Sequence, residues 1–97
     1  MSQADHARRG IYFIRMSDYI KIGHSEDVVA RWRRQTDMPL PAQPMGFQHV
    51  PMPFSLYAPE AWVHQRFKAQ RFRGEWFRAD PVLLDYIAAH TQPWPEA

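Results

Sequence analysis

The stretch GIYFIRMSDYIKIGHSEDVVAR, Gly10–Arg31, decides the fold of this chain. It contains two short apolar strings, Gly10–Met16 and Tyr19–His24, which are rich in Ile, Tyr and Phe and therefore predict two β-strands. Only a serine and an aspartate separate the strings, which predicts a tight hairpin, although this pair is not the favoured Asn-Gly or Asp-Gly. A lysine, Lys21, lies in the middle of the second string and needs an explanation.

The hairpin geometry determines which side chains share a face of the sheet. A two-residue turn places Met16 opposite Tyr19, and opposed residues point to the same side. One face therefore carries Tyr12, Ile14, Met16, Tyr19, Lys21 and Gly23. Tyr12 lies opposite Gly23, which has no side chain, and diagonal to Lys21, with Cβ atoms within ~7–8 Å. A phenol and an ammonium group beside a gap predict a functional site.

The remainder of the chain predicts three helices and one further strand. Ser25 is a suitable N-cap for a first helix over about 26–36, with Val28, Val29 and Trp32 on its buried side. Residues 37–59 hold six of the nine prolines and predict a loop region with a strand near 46–50. Proline at first-turn positions predicts helices over about 60–70 and 81–90, with an irregular or extended segment over 72–78 between them.

Length and composition restrict the class of protein. Ninety-seven residues suit one domain, and a hydrophobic content of 45% predicts a folded core. The absence of cysteine excludes disulfides and thiolate metal sites. The sequence has neither an apolar run near ~20 residues nor a signal-peptide pattern, so we expect a soluble, cytoplasmic protein without a membrane partner. We expect an N-terminal tail over 1–9, one domain over 10–90 and a flexible C-terminal tail over 91–97.

Arginine dominates the basic residues, with ten arginines among twelve. The guanidinium fork suits phosphate oxygens, although an Arg-rich composition is also typical of GC-rich genomes. Between residues 66 and 78, five basic residues alternate with aromatic ones. This pattern predicts either a phosphate-facing surface or charged side chains whose stems cover a core. The candidate nucleic-acid-binding residues are Arg33, Arg34, Arg66, Lys68, Arg71 and Arg73.

Taken together, these motifs resemble those of the GIY-YIG nuclease superfamily. The motifs are GIY at Gly10–Tyr12, KIG at Lys21–Gly23, Arg31 in the following helix, Glu60 at the start of a later helix, and GEWF at Gly74–Phe77. The closest likeness is to small phage and bacterial domains with KIG in place of YIG. Two features depart from the superfamily pattern, because a lysine replaces the second-motif tyrosine and the chain contains no asparagine.

The resemblance implies an α/β (α+β) fold, with a small three-stranded antiparallel sheet flanked by about three helices. It also implies endonuclease activity that depends on Mg²⁺ or Mn²⁺. The expected partner is nucleic acid, with DNA favoured over RNA, and we expect a monomer or a homodimer. The implied catalytic residues are Tyr12, Lys21, Arg31 and Glu60, with Glu60 as the metal ligand. His24 directly follows KIG and could contact the scissile phosphate or the attacking water.

Several alternatives remain open at this level. Either Tyr12 or Lys21 could be the general base. Glu75 could be a second acid beside the metal, although a salt bridge to an arginine is favoured. His64 could pair with Glu60 at a metal, although a helix-surface contact is favoured. A catalytically idle nucleic-acid-binding module of the same fold is the alternative function. The presence of both Arg31 and Glu60 favours the enzyme.

Overall fold

The computed structural model describes residues 7–34 and 41–95. These ranges contain five strands and three α-helices. In chain order the elements are β1 (Gly10–Met16), β2 (Tyr19–Ser25), α1 (Val28–Arg34), β3 (Gln43–His49), α2 (Tyr57–Arg66), a short 3₁₀ helix (Lys68–Gln70), β4 (Arg71–Arg73), β5 (Trp76–Arg78) and α3 (Pro81–His90). None of the described helices has the length and apolar character needed to cross a membrane.

Strands β1 and β2 form the predicted hairpin with the predicted register. Met16 pairs with Tyr19, Ile14 with Lys21, and Tyr12 with Gly23. Ser17 adopts a left-handed conformation with a φ of 58°, which two-residue hairpin turns favour because it matches the strand twist. The prediction that Tyr12 and Lys21 lie on one face of the sheet is therefore confirmed.

The sheet contains five strands in the order β3-β1-β2-β5-β4, and every neighbouring pair is antiparallel. The predicted α+β class is correct, whereas the predicted number of three strands was wrong. Strands β4 and β5 have three residues each, which is too short for an alternating pattern to show in the sequence. The GIY and KIG strands consequently lie in the middle of the sheet, away from both edges.

Helix α1 begins at Val28, one residue after its cap. The carboxylate of Asp27 accepts hydrogen bonds from the amides of Val29 and Ala30, each at 3.1 Å. Asp27 is therefore the cap, and the predicted cap Ser25 instead accepts from the amide of Asp27 at 3.1 Å. The expected end of this helix, near residue 36, lies outside the described residues.

Helix α2 starts earlier than predicted, at Tyr57, and ends at Arg66. The hydroxyl of Ser55 accepts hydrogen bonds from the amides of Tyr57 and Ala58, at 3.0 and 3.4 Å. Pro59 therefore lies within the first turn, where no intrahelical amide is required. Helix α3 has the predicted bounds, with proline at its first position.

The two faces of the sheet bury two apolar clusters. The larger cluster combines Ile11, Phe13 and Ile22 of the hairpin with residues of α2 and α3. The smaller cluster combines Tyr12, Ile14, Val28 and Phe47, with Trp32 and Trp94 packed against it. Residues from both expected tails also contact the domain, because Gln92 pairs with Phe47 and the buried Arg9 donates to the carbonyl of Val50 at 2.9 Å.

Candidate active site

Helix α2 lies beside the part of β2 that has no strand partner on that side. Strand β5 pairs with β2 only as far as Lys21. Beyond that point, Nε2 of His64 donates to the carbonyl of Ile22 at 2.9 Å, and Nδ1 of His24 is hydrogen-bonded to Oε2 of Glu60. These two contacts hold α2 against β2 and place the glutamate next to the KIG motif.

Three side chains in this region are close enough to share one metal ion. Glu60, His64 and Glu75 each offer a ligand atom, and these atoms lie within 4.8 Å of one another. The turn between β4 and β5 positions Glu75, whose carbonyl accepts from the amide of Ile22 at 2.9 Å. Carboxylate oxygens suit both Mg²⁺ and Mn²⁺. Since His64 already donates to Ile22, the two carboxylates are the most direct ligands, and the donor set fits a hard divalent cation.

Glu75 does not have the neighbour that the sequence favoured. Within residues 7–34 and 41–95, Glu75 forms no ion pair with an arginine. Its half-buried side chain lies instead in the group with Glu60 and His64. His64 itself is not merely a surface partner, because it bonds to the β2 backbone and lies 3.8 Å from Glu60 Oε1.

A cleft of about 460 Å³ opens beside His24, at the end of β2. Its lining includes Arg31 and Arg34 of α1 together with Phe54 and Tyr57. The charged side chains of the lining are three arginines and one glutamate, Glu26, which is paired with the third arginine, Arg9. The cleft therefore has a positive surplus, which suits an anionic ligand.

Arg31 has an unsatisfied donor in this region. Its Nε is buried and has no hydrogen-bond partner among the described residues. A buried donor without an acceptor costs roughly 1–3 kcal/mol, so the fold retains this guanidinium at an energetic cost. Arg31 also lines the cleft, and a guanidinium offers further N–H donors besides Nε that can bind an anion.

Tyr12 and Lys21 share a face but do not line this cleft. A Cβ placed on Gly23 would lie 2.5 Å from both Cζ and the hydroxyl of Tyr12. The predicted gap opposite Tyr12 is thus filled by the tyrosine ring itself, which is 2% exposed. Lys21 is half-buried and has no side-chain hydrogen bond or ion pair within the described ranges.

The predicted catalytic residues consequently fall into two groups around β2. His24 and Arg31 meet in the cleft, and Glu60 joins them through its hydrogen bond to His24. Strand alternation places His24 on the opposite face from Tyr12 and Lys21. Convergence of all five residues on one reacting phosphate therefore stays a prediction.

The predicted nucleic-acid-binding residues also divide by environment. Arg33 and Arg34 are exposed on α1, and Arg34 lines the cleft. Arg66 lies over the rings of Trp62, Phe67 and Tyr86, at 5.5 to 5.7 Å. Nε of Arg71 donates to the Gly74 carbonyl at 2.9 Å, whereas Lys68 and Arg73 are exposed. Of the two interpretations of the basic segment over 66–78, the one in which charged side chains cover the core therefore applies to Arg66.

Sequence reasoning assigned no role to two residues at the mouth of the cleft. Phe54 and Tyr57 are 65% and 75% exposed, although both are large aromatic residues. The available signal was their position, in a proline-rich segment immediately before the metal-ligand candidate Glu60. Such loops carry binding residues more often than they carry core residues.

Comparison with known protein families gives one match. The model of the T5orf172 domain matches residues 9–91. No curated protein matches the chain significantly, and no solved structure does so either. The matched range includes both hairpin strands, the cleft and the group of Glu60, His64 and Glu75. The chain therefore belongs to the T5orf172 domain family, a family of phage and bacterial endonuclease-like domains related to the GIY-YIG nucleases.

Proposed function

We propose that this protein is a metal-dependent endonuclease that hydrolyses phosphodiester bonds of nucleic acid, with DNA the preferred substrate. Family membership supports this class of activity. The observation that carries the proposal is the guanidinium of Arg31. It lines a positive cleft with an unpaired buried Nε, and His24 links the same cleft to Glu60.

Arg31 and Arg34 bind the phosphate in this proposal. A guanidinium can donate two parallel hydrogen bonds to one phosphate group, and such charge-assisted bonds are about twice as strong as neutral ones. Because the Arg31 Nε is shielded from water, its attraction for an anion is screened less than that of an exposed arginine. Arg31 therefore stabilises the negative charge that increases around phosphorus during attack.

Glu60 and Glu75 hold the divalent cation, with His64 as a third potential donor. When bound there, Mg²⁺ or Mn²⁺ supplies Lewis-acid stabilisation and makes a bound water easier to deprotonate. The carboxylate of Glu60 also accepts from Nδ1 of His24, which leaves Nε2 of that ring as an acceptor for the O–H of a water in the cleft.

The hairpin face supplies the proposed proton acceptor. Tyr12 is almost fully buried, with Trp94 at a ring-centroid distance of 5.8 Å. Lys21 is partly exposed and is not engaged by another described side chain. A base must reach the attacking water, so this assignment requires the water to lie on the hairpin face, across β2 from the cleft. Of the two candidates on that face Lys21 is the more exposed, and we assign proton abstraction to it and the supporting position to the Tyr12 phenol.

A plasmid-cleavage assay tests the function directly. The purified protein is incubated with supercoiled DNA in chelator, in Mg²⁺ and in Mn²⁺, beside Glu60→Gln and a surface control, Asp85→Asn. We expect nicking or linearisation only with a divalent metal, in the wild type and the control. DNA binding without cleavage under every metal condition would instead support the catalytically idle binding module.

A further inference from the structure

We propose that the cleft beside His24 binds an unpaired nucleobase together with its phosphate. The substrate class is then single-stranded or locally unpaired nucleic acid. This inference deepens the proposed function, since it uses the cleft in which Arg31 is proposed to bind the phosphate. It adds a separate subsite, formed by Phe54 and Tyr57, for the base.

The first support is the exposure of two aromatic rings at one opening. Phe54 is 65% exposed and Tyr57 is 75% exposed, and both line the cleft. Exposed aromatic rings of this size are favourable stacking surfaces for bases, because every nucleobase has a π-face. Phe54 has no aromatic partner among the described residues, and its 65% exposure leaves much of the ring surface open to a ligand.

The second support is that local contacts hold both aromatic residues in place. The amide of Phe54 donates to the carbonyl of Pro51 at 3.0 Å, and the amide of Tyr57 donates to the Ser55 hydroxyl at 3.0 Å. The imidazole of His24 meets the Tyr57 ring edge-to-face, with centroids 4.8 Å apart. The backbone at both positions and the Tyr57 ring are therefore held before a ligand binds, which lowers the entropic cost of binding.

The third support is the positive charge of the same cleft. Arg31 and Arg34 line the same cleft as the two rings. Proteins that bind single strands combine cationic contacts to the backbone with aromatic contacts to the bases. In a duplex the base faces are covered by neighbouring base pairs, so reaching these rings requires an unpaired or extruded base.

Other exposed aromatic residues lack this combination and provide matched controls. Trp62 lies under the guanidinium of Arg66 at 5.5 Å. Phe72 packs against Tyr19 with ring centroids 4.8 Å apart. Neither residue lines the positive cleft, so the proposal assigns no base to either of them.

Base stacking can be measured with a fluorescent base in the absence of metal. A short single strand with one central 2-aminopurine is titrated with protein in chelator, alongside its duplex and an RNA strand of equal sequence. We expect saturable quenching with the single strands and at least tenfold weaker binding of the duplex. The relative affinity of the DNA and RNA strands then identifies which strand the cleft prefers.

Variants then locate the subsite. Phe54→Leu and Tyr57→Leu should each weaken single-strand binding roughly tenfold, which corresponds to about 1.4 kcal/mol. Tyr57→Phe keeps the ring and should bind like the wild type, as should the control Phe72→Leu. Thermal denaturation checks that each variant is folded, and Phe54→Leu alone decides the result if Tyr57→Leu does not fold.

The outcomes separate this inference from the proposed function. Quenching by wild-type protein that never cleaves DNA would overturn the endonuclease and leave the base subsite intact. Metal-dependent cleavage with equal affinity for duplex and single strand, or with no loss in the leucine variants, would overturn the base subsite alone.

Discussion

His24 and Glu60 are hydrogen-bonded through Nδ1 and Oε2, although they lie 36 residues apart, on a strand and a helix. The other oxygen of the same carboxylate lies 3.8 Å from Nε2 of His64. Glu60 thus lies between two imidazole rings at the edge of the central hairpin. The hydrogen bond and the negative charge of the Glu60 side chain can be tested separately, because glutamine keeps an acceptor oxygen and removes the charge.

Replacing Glu60 by glutamine should abolish metal-dependent cleavage with little effect on folding. The amide oxygen that Glu60→Gln introduces can still accept from His24, whereas a neutral amide binds a divalent cation poorly. We expect a rate loss of about 10²–10³-fold or more, measured on supercoiled plasmid at saturating Mg²⁺. Asp85→Asn is the matched control on α3. Wild-type rates in the glutamine variant would refute the assignment of Glu60.

Replacing Arg31 by methionine should reduce cleavage without reducing stability. Methionine retains an apolar stem but removes the buried, unpaired Nε, whose desolvation costs roughly 1–3 kcal/mol. We therefore expect an unchanged or slightly higher urea midpoint and at least a tenfold lower cleavage rate. Arg15→Met, at a residue outside the cleft whose Nε donates to the Ser17 carbonyl, is the control. A large loss of stability in Arg31→Met would show that the guanidinium is mainly structural.

Lys21 and Tyr12 should respond differently to substitution. Lys21→Ala should abolish cleavage while changing the free energy of unfolding by no more than about 1 kcal/mol, because Lys21 is only half-buried and is engaged by no described side chain. Tyr12→Phe should retain part of the activity, because the phenol is not the assigned base. Cleavage rates and thermal denaturation are measured in parallel, with the exposed Asp85→Asn as the control. If Tyr12→Phe is as damaging as Glu60→Gln, the base is the tyrosine.

Gly23 should not tolerate a side chain. A methyl group at this position would lie 2.5 Å from the Tyr12 ring. Such overpacking typically costs about 1–3 kcal/mol, so Gly23→Ala should be destabilised by about that amount. A double-mutant cycle with Tyr12→Leu tests the cause, since a smaller residue relieves the clash. Strict additivity of the two unfolding free energies would mean that the ring is not what excludes alanine.

The basic residues should separate into those that bind nucleic acid and those that stabilise the fold. Arg34→Ala should lower the slope of log affinity against log salt by about one unit, as for one lost phosphate contact. Arg66→Gln should instead lower stability by about 0.5–1 kcal/mol, because its guanidinium lies over aromatic rings. Fluorescence anisotropy at several salt concentrations and urea unfolding measure the two effects. The reverse pattern would contradict the division.

The hairpin and helix α3 could be predicted from sequence because their signals are local. A two-residue turn fixes the pairing of Tyr12 with Gly23, and Pro81 marks the start of α3. The cap of α1 was misassigned because Ser25 and Asp27 are both competent caps two residues apart. Strands β4 and β5 were predicted only as an irregular or extended segment, because each has three residues. The pairing of β5 also depends on a non-local partner, β2.

The candidate site was only partly predictable for the same reason. The motifs singled out Arg31 and His24, and both residues line one cleft. They did not reveal that His24 bonds to Glu60, since that contact depends on how α2 packs beside β2. Glu75 lies near Glu60 because of the conformation of the β4–β5 turn. The spacing of these residues along the chain does not predict that conformation.

The two hydrogen bonds between α2 and β2 are separated by the same distance along the helix and along the strand. His64 bonds to Ile22 and Glu60 bonds to His24, so four helical residues span the same distance as two strand residues. Four helical residues rise ~6 Å, and two strand residues rise ~6.6–6.8 Å. The spacing of the two contacts therefore matches on the two elements. A single-residue deletion inside either span would prevent the two hydrogen bonds from forming together. Length variation in this protein is best tolerated outside these two short segments.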